Sequence, residues 1–294
     1  MHLEKLFPGA DPFLLKHGGQ YYIYCTTEGG TPPSNARKAA ADADEGFNVY
    51  RSDDLIHWEN QGLCLSPDDV DGHNRFWAPE VSYYKGKFYM VYTAEEHLFV
   101  AVSASPLGPF TKHSDGSLRR NKAIDGHLLF DGDRIYLYYV RLDCGNRIFV
   151  AEMSDDVSRI VKEFETELIA ASKPWETRHG LVAEGPFVLK HRGLYYLSYS
   201  CNDTGSEYYA VGYAVSDCPT GPFAKYEYNP ILKKNGKIVG TGHNSYAPTD
   251  DENRFLCAYH CHYDVSQNRF PRMVCLCDAF FEKGNPDTLK ICFE

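Results

Sequence analysis

Four carboxylates and one histidine recur at similar places in a repeated sequence pattern. Each precedes a short apolar segment, a turn that usually contains glycine and an aromatic segment, as in the stretch from Glu184 to Ser200. The five residues are Asp11, Glu80, Asp125, Glu184 and His243. Carboxyl groups held close together raise one another's pKa, so that one can stay protonated while another is ionised. Such a pair is what acid–base cleavage of a glycosidic bond requires.

The same repeat predicts the fold that positions these side chains. Its copies begin at intervals of about 50 residues, and each copy holds short segments suited to four antiparallel strands bounded by Gly and Pro. Five copies therefore predict an all-β, five-bladed β-propeller that forms a single domain over residues 1–294. A β-sandwich is the alternative, but it does not explain a pattern that repeats in order. In a propeller the first strand of each blade lines the central channel, so the five residues should meet at one mouth.

Three further expectations concern the rest of the chain. To close the ring, we expect the segment 290–293 to pair with an N-terminal strand. Only residues 36–45 and 155–165 have a composition compatible with helix. The long loop at residues 27–46 is rich in small residues and is a candidate lid or pocket wall.

Charge and hydropathy exclude several classes of partner. The net charge is −10 without a basic cluster, which argues against a nucleic-acid partner. No apolar run approaches the ~18 residues of a spanning helix, so we expect no membrane partner. The first repeat begins by residue 10, which leaves no room for a secretory signal and predicts a cytoplasmic location.

Ten cysteines are scattered along the chain, many of them among aromatic residues. We interpret them as free thiols that fill the core. A group of cysteines and histidines between Cys257 and Cys277 could hold zinc, but its spacing matches no standard zinc finger.

Five short motifs, taken together, resemble glycoside hydrolase family 43. They are ADPF at 10–13, WAPEV at 77–81, IDGHLLFDGD at 124–133, EGPFVLK at 184–190 and GTGHNSY at 240–246. The resemblance covers almost the whole chain, in order. It implies a five-bladed propeller that cleaves arabinose- or xylose-containing glycans with inversion.

The resemblance also implies roles for individual residues. Asp11 would be the general base that activates water, Glu184 the general acid, and Asp125 the residue that adjusts the pKa of Glu184. His243 would lie at the base of the funnel, where relatives hold water or, in some, a calcium ion; no other cofactor is implied. Arg272 would reach substrate hydroxyls or the base.

Three more residues are candidates for substrate binding. Trp77 is either an apolar platform for a sugar face or a core residue. Glu80 is expected to bond to the backbone or an arginine beside the site, at a position equivalent to the other acids. His127 stands where a smaller residue is expected, and could narrow the substrate site.

The partner that follows is a small oligosaccharide, from which the enzyme would release a terminal α-L-arabinofuranose or β-D-xylose. A first alternative is another propeller carbohydrate enzyme, such as a glycoside phosphorylase, which would lack the base and gather Arg and His for phosphate. A second is a non-catalytic sugar-binding propeller, which would tolerate loss of the acids.

Overall fold

The computed structural model describes residues 5–28, 46–164, 166–266 and 269–293. These residues form twenty-two strands in five antiparallel sheets, and a single 3₁₀ turn at Pro67–Asp69. Within these ranges no helix is long and apolar enough to cross a membrane.

Each sheet is one blade, and its strands lie in chain order from the channel outward, except that the N-terminal strand is outermost in the fifth blade. The innermost strands are β2 (Ala10–His17), β6 (Trp77–Tyr84), β10 (Ala123–Asp131), β15 (Ala183–His191) and β19 (Gly242–Pro248). The second strands are β3 (Gln20–Thr26), β7 (Lys87–Ala94), β11 (Arg134–Leu142), β16 (Leu194–Cys201) and β20 (Arg254–Cys261). The third strands are β4 (Phe47–Ser52), β8 (His97–Ser103), β12 (Asn146–Met153), β17 (Ala210–Ser216) and β21 (Met273–Glu282).

The outermost strands are shorter and more varied. They are β5 (Glu59–Leu65), β9 (Thr111–Lys112), β13 (Ile160–Glu163), β18 (Ala224–Lys225) and, in the fifth blade, the N-terminal β1 (Lys5–Pro8). Two additional strands are β14 (Ile169–Ala170), which pairs with β12, and β22 (Thr288–Ile291), which pairs with β21. The predicted five-bladed, four-stranded architecture is therefore confirmed, with one extra strand in two of the blades.

Tight turns explain why the first two strands of a blade pair as the sequence suggests. Lys85 and Gly86 both have positive φ values, of 47° and 82°, and Arg192 and Gly193 have 48° and 80°. Two-residue turns of this kind match the right-handed twist of the strands that they connect. Aromatic side chains then pack between neighbouring blades, and most of the large, fully buried side chains are tyrosines and phenylalanines.

The innermost strands contact one another in the cyclic order β2, β6, β10, β15, β19 and back to β2, so the ring is closed. The expected closure by the segment 290–293 and an N-terminal strand is wrong. Both β1 and β22 pair with β21, β1 at its beginning and β22 at its end, because β21 is long enough to take two partners on one edge.

The two helix expectations have different outcomes. The segment 155–165 is wrong as a helix, since Ile160–Glu163 pairs with β12 as a strand. The segment 36–45 lies outside the described residues.

Candidate active site

The mouth of the channel is built by one irregularity that all five blades share. The innermost strand of every blade has a β-bulge near its first residues, where its register against the second strand shifts. At each bulge one residue has a positive φ, between 46° and 56°: Asp11, Ala78, Asp125, Gly185 and His243. A bulge re-aims a side chain relative to a regular strand. The equivalent positions are thus Asp, Ala, Asp, Gly and His.

The positions of the bulge residues correct two assignments that were made from the sequence repeat. Glu80 is not equivalent to Asp11, because Ala78 occupies that place and Glu80 lies two residues further along β6. Glu184 precedes its bulge residue, Gly185, and pairs with Ser200. The acids therefore occupy three different positions relative to the bulge: Glu184 just before it, Asp11 and Asp125 at it, and Glu80 two residues after it.

Each bulge leaves a backbone N–H that its own blade does not satisfy, and the preceding blade supplies the acceptor. In four of the five cases the acceptor is a side chain on the second strand of the preceding blade. That residue pairs with the residue just before the preceding blade's own bulge residue. The hydrogen bonds run from Ala78 N to Thr26 Oγ1 (2.9 Å), Asp125 N to Thr93 Oγ1 (3.1 Å), His243 N to Ser200 Oγ (2.8 Å) and Asp11 N to His260 Nδ1 (3.1 Å).

The fifth junction departs from this pattern, and the departure explains the place of Asp125. The corresponding residue on β11 is Val140, which has no side-chain acceptor. Gly185 N donates instead to Asp125 Oδ2 at 3.1 Å. Asp125 therefore holds the backbone directly beside Glu184.

Asp11 is surrounded by donors and positive charge. Thr26 Oγ1 donates to its Oδ2 at 2.7 Å, while Arg272 Nη1 and His243 Nδ1 lie 3.3 and 3.1 Å from its Oδ1. Although burial opposes it, the charges of Arg272 and His243 hold the pKa of this carboxyl well below its usual range. Asp11 is therefore ionised and can accept a proton.

Arg272 is itself fixed by Glu28, a buried residue that the sequence reasoning missed. The Arg272 Nε–Glu28 Oε1 distance is 2.8 Å, and the Arg272 backbone N–H donates to Oε2 at 3.1 Å. The predicted contact of Arg272 with the base is present, and Glu28 holds the guanidinium in place for it. Glu28 stands at the start of the candidate lid loop; residues 29–45 of that loop lie outside the described residues.

His260 is a neutral support behind the base. Its Nδ1 accepts the Asp11 N–H, and burial lowers its pKa to about 3, so its contact with the Asp11 carboxylate is not an ion pair between charged groups. Its ring stacks on Tyr209, with centroids 5.4 Å apart and planes at 8°. This stack joins the surroundings of Asp11 to those of Glu184.

Glu184 accepts two hydrogen bonds, from Tyr209 OH at 2.9 Å and Asn146 Nδ2 at 2.8 Å. Burial, and then the neighbouring Asp125 carboxylate, raise the pKa of Glu184. Burial also raises the pKa of Asp125. The two carboxyls thus hold a proton more tightly than free ones, whereas Asp11 does not.

His243 lies on β19, between the strands that carry Asp11 and Glu184. Burial alone would lower its pKa, but Asp11 and Asp125 overcome that effect and raise it to about 9. Its imidazolium is the positive charge among these acids. Gly185 lets the ring approach, since a Cβ there would lie 3.1 Å from His243 Cγ.

Glu80 and His127 each lie two residues after the bulge residue of their blade. His127 Nδ1 lies 2.7 Å from Glu80 Oε2, and His127 Nε2 accepts the Val188 N–H at 3.0 Å. The ring also packs against Phe187, with centroids 4.3 Å apart. Because both ring nitrogens are used within the protein, His127 does not narrow the substrate site as expected. Among the described residues, Glu80 bonds to this histidine, whereas the backbone or an arginine was expected.

Trp77 lies one residue before its bulge and is partly exposed at the mouth, with the Arg75 guanidinium 5.6 Å from its ring. This position fits a platform better than a core residue. Beneath the mouth lies a cavity of about 10 Å³, lined by Asp11, Glu80, Asp125 and His243 among others. That is about the space of one water molecule.

Several supporting residues had no signal in the sequence. Tyr209 and Asn146 are single polar residues outside the repeated motifs, and Thr26 resembles any other strand residue. His260 was grouped with cysteines as a zinc alternative, but all ten cysteines are free, and the described residues contain no cluster of His, Cys, Asp or Glu arranged to hold a metal ion. Thr26, Thr93, Ser200 and His260 share a feature that only the structure shows: each pairs with the residue just before the bulge residue of its blade.

A five-bladed propeller whose mouth holds one carboxyl group of lowered pKa and one of raised pKa has the two kinds of group that cleavage of a glycosidic bond requires. The chain belongs to family 43 of the glycosyl hydrolases, whose sequence profile matches residues 7–280. It is 38% identical to a structure described as an endo-1,4-β-xylanase from Bacteroides thetaiotaomicron, with a TM-score of 0.86 over 99% of this chain and 96% of that one.

Two curated relatives extend the comparison. A β-xylosidase of Xylanibacter ruminicola is 31% identical over 83% of this chain and 86% of its own length. A β-D-galactofuranosidase of Aspergillus niger is 26% identical over 96% of this chain and 82% of its own length. The protein is thus a glycoside hydrolase, and its relatives differ in the sugar and in the position of the bond that they cleave.

Proposed function

We propose that this protein is an inverting glycoside hydrolase that releases a terminal pentose from short plant-glycan oligosaccharides. The observation that carries the proposal is the opposite surroundings of two buried carboxyl groups at one mouth: Arg272 and His243 hold the pKa of Asp11 well below its usual range, whereas burial and Asp125 raise the pKa of Glu184. An inverting mechanism needs one ionised and one protonated carboxyl group.

In the proposed reaction, Asp11 accepts a proton from a water molecule while the water oxygen bonds to the anomeric carbon. The bond from that carbon to the leaving oxygen breaks, and Glu184 donates its proton to the oxygen. The released sugar thereby gains the hydroxyl group of the water molecule, and the leaving oxygen gains a proton. Asp125 acts through Glu184, by holding Gly185 N and by its charge.

We infer that protonated His243 itself supplies the positive charge at the base of the funnel, where the resemblance implied either water or a calcium ion. Calcium binds through six to eight oxygen ligands. The imidazolium offers none, and the carboxylates in the cavity lining, Asp11 and Glu80, are already paired with protein donors. The residues do not fit calcium, and activity should therefore be unchanged after dialysis against a chelator. Loss of activity that calcium restores would contradict this.

The terminal pentose is supported by the relatives' names, which include a β-xylosidase. A second candidate is cleavage within a chain, since the structure that is 38% identical is described as an endo-1,4-β-xylanase. Products from a reduced, labelled xylo-oligosaccharide separate the two: xylose alone at early times supports terminal release, and mixed short oligosaccharides support internal cleavage.

The central test uses nitrophenyl pentosides and hexosides with the variants Asp11→Asn and Glu184→Gln. Each variant should lower kcat by about a hundredfold to ten-thousandfold, because each removes one proton-transfer group. The anomer formed first, followed by proton NMR, should be inverted. A retained anomer, or full activity in a correctly folded variant, would contradict the assignment.

The predicted cytoplasmic location goes with a substrate that has already been imported as a short oligosaccharide. Cell fractionation of the native host would test it. Activity found mainly outside the cell would contradict it.

A further inference from the structure

A second cavity, of about 160 Å³, lies away from the channel and is lined by aromatic and cationic side chains. Its lining includes Trp175, Tyr208, Arg178, Lys233 and Lys234. We define it as the outer pocket. On the measure by which the cavity beneath the mouth holds one water molecule, the outer pocket has room for roughly ten to fifteen, which suits a single substituent and not a chain.

The outer pocket opens on the same face as the candidate active site. Its walls come from three connections: the one that precedes β15, the one between β16 and β17, and the one between β18 and β19. All three connections lie at the same end of the blades as the first residues of β15 and β19, the strands that carry Glu184 and His243. Ala210, in the pocket wall, pairs with Cys201, which pairs with Ala183 beside Glu184. Two strand spacings place the pocket roughly 10 Å outward from the acid.

Two of the walls are tied rigidly to each other and to the acid. Asn202 is fully buried and donates to Trp175 O and Tyr208 O, both at 2.9 Å, while its Oδ1 accepts the His179 N–H. The same connection ends at Tyr209, whose hydroxyl donates to Glu184. A ligand in the outer pocket would therefore be held at a fixed place relative to the reaction.

Glycine makes room for the indole in the wall. A Cβ at Gly212 would lie 2.7 Å from Trp175 Cζ2, so a side chain on β17 would displace the tryptophan. Trp175 keeps part of its ring exposed toward the pocket. A partly exposed indole in a shaped recess is suited to an apolar sugar face.

The charges of the pocket decide the class of ligand. The protein has a net charge of −10, yet the outer pocket gathers three cations. Lys234 is paired with Glu207 at 2.6 Å, and both Lys234 and Arg178 lie against the Tyr208 ring. Within the described ranges, Arg178 and Lys233 have no carboxylate partner and are exposed. An arginine and a lysine beside an aromatic ring fit an anionic sugar.

We propose that the outer pocket binds the carboxylate of a uronic-acid unit carried by the glycan whose bond is cleaved at the mouth. The proposal rests on the proposed function, because it names a substituent of that substrate. It predicts a preference for oligosaccharides that carry a uronic acid one or two units from the cleaved bond.

Kinetics with matched oligosaccharides, with and without one uronic-acid unit, test the proposal. The double variant Arg178→Ala with Lys233→Ala should lower kcat/KM for the uronate-bearing substrate by about tenfold, mainly through KM. For the neutral substrate the change should stay within about twofold, and added salt should weaken only the uronate preference. Lys283→Ala removes an exposed charge from the β21–β22 turn, at the opposite face, and should change neither substrate.

Direct binding separates this proposal from the proposed function. Calorimetry with Glu184→Gln, which should not turn the substrate over, should show tighter binding of the uronate-bearing oligosaccharide, and this gain should vanish in the background of the double variant. If binding behaves so but the wild type hydrolyses nothing, the outer pocket stands and the proposed function falls. Equal binding of both oligosaccharides, or inorganic phosphate bound at the pocket without competition from the uronate substrate, would overturn the proposal.

Discussion

At the scale of single residues, the site separates two carboxyl groups by their surroundings. Asp11 is buried like Glu184, but it faces a guanidinium, an imidazolium and a threonine hydroxyl. Glu184 accepts hydrogen bonds from two neutral donors, and burial and the Asp125 carboxyl raise its pKa by more than the charge of His243 lowers it. Burial favours the neutral form of both, and only Asp11 receives enough positive charge to overcome it.

The pH dependence of kcat/KM should show this separation. Activity should fall as pH rises through the pKa of Glu184, because the general acid is then deprotonated. Asp125→Asn removes the charge that raises this pKa, so the alkaline limb should move to lower pH. Tyr209→Phe removes a hydrogen bond that lowers it, so the limb should move to higher pH.

The two shifts must have opposite signs, which is the discriminating result. The measurement is the initial rate as a function of pH for each variant. The melting temperature of the variant at each pH is measured as well, so that unfolding is not mistaken for a shift of the limb. Shifts in the same direction would mean that the variants act through general loosening of the site and not through the charge on Glu184.

At the scale of elements, the bulges explain why the site could be predicted only in part. The acids Asp11, Asp125 and Glu184 were found from sequence because each opens an aromatic hairpin in a repeated motif. Glu80 was misplaced because the bulge residue of its blade is Ala78, which carries no acid, and the motif WAPEV does not show that its acid lies two residues further along the strand. Glu28 and Tyr209 were missed because their partners are far away in the chain.

Val140 stands where the other blades have a side chain that accepts the N–H of a bulge residue. This difference allows a test of the role of Asp125. Asp125→Ala removes both the acceptor for Gly185 N and a charge. Adding Val140→Thr should restore an acceptor, since Thr93 Oγ1 accepts the bulge N–H at the equivalent junction. We expect Asp125→Ala to lower the unfolding free energy by about 1 to 3 kcal/mol, the cost of an unsatisfied buried group.

The double variant should regain most of that stability but little of the activity, because the charge is still missing. Chemical denaturation and kcat/KM, measured on the same preparations, give the two readouts. Val140→Thr alone serves as the control for the cost of a buried hydroxyl. Full recovery of activity in the double variant would show that Asp125 is purely a structural acceptor.

At the scale of the whole molecule, the ring is closed by noncovalent pairing. The chain passes from β1 in the fifth blade to β2 in the first, so the pairing of β1 with β21 fastens the two ends by backbone hydrogen bonds. The pairing begins at Met273, the neighbour of Arg272, and Gly9 N donates to Arg272 O at 2.9 Å. Closure of the ring therefore also fixes the arginine that polarises the base.

Phe7 provides the side-chain part of this closure, and its loss should be felt at the site. Its ring stacks on Tyr50 of the first blade, with centroids 3.8 Å apart and planes at 12°. Phe7→Ala should cost about 2 kcal/mol of unfolding free energy, less than for a fully buried phenylalanine. Phe130→Ala is a matched control, because Phe130 contacts Tyr84 between two blades whose connection is internal to the chain.

Hydrogen exchange distinguishes the closure from an ordinary contact between blades. In Phe7→Ala, amides of β1, β4 and β21 should exchange faster, and kcat should fall because Arg272 directly precedes β21. In Phe130→Ala, exchange should rise only near β6 and β10, with kcat unchanged. Because a ring fastened at one junction should open there first, equal exchange along all blades in Phe7→Ala would show that the molecule opens only as a whole.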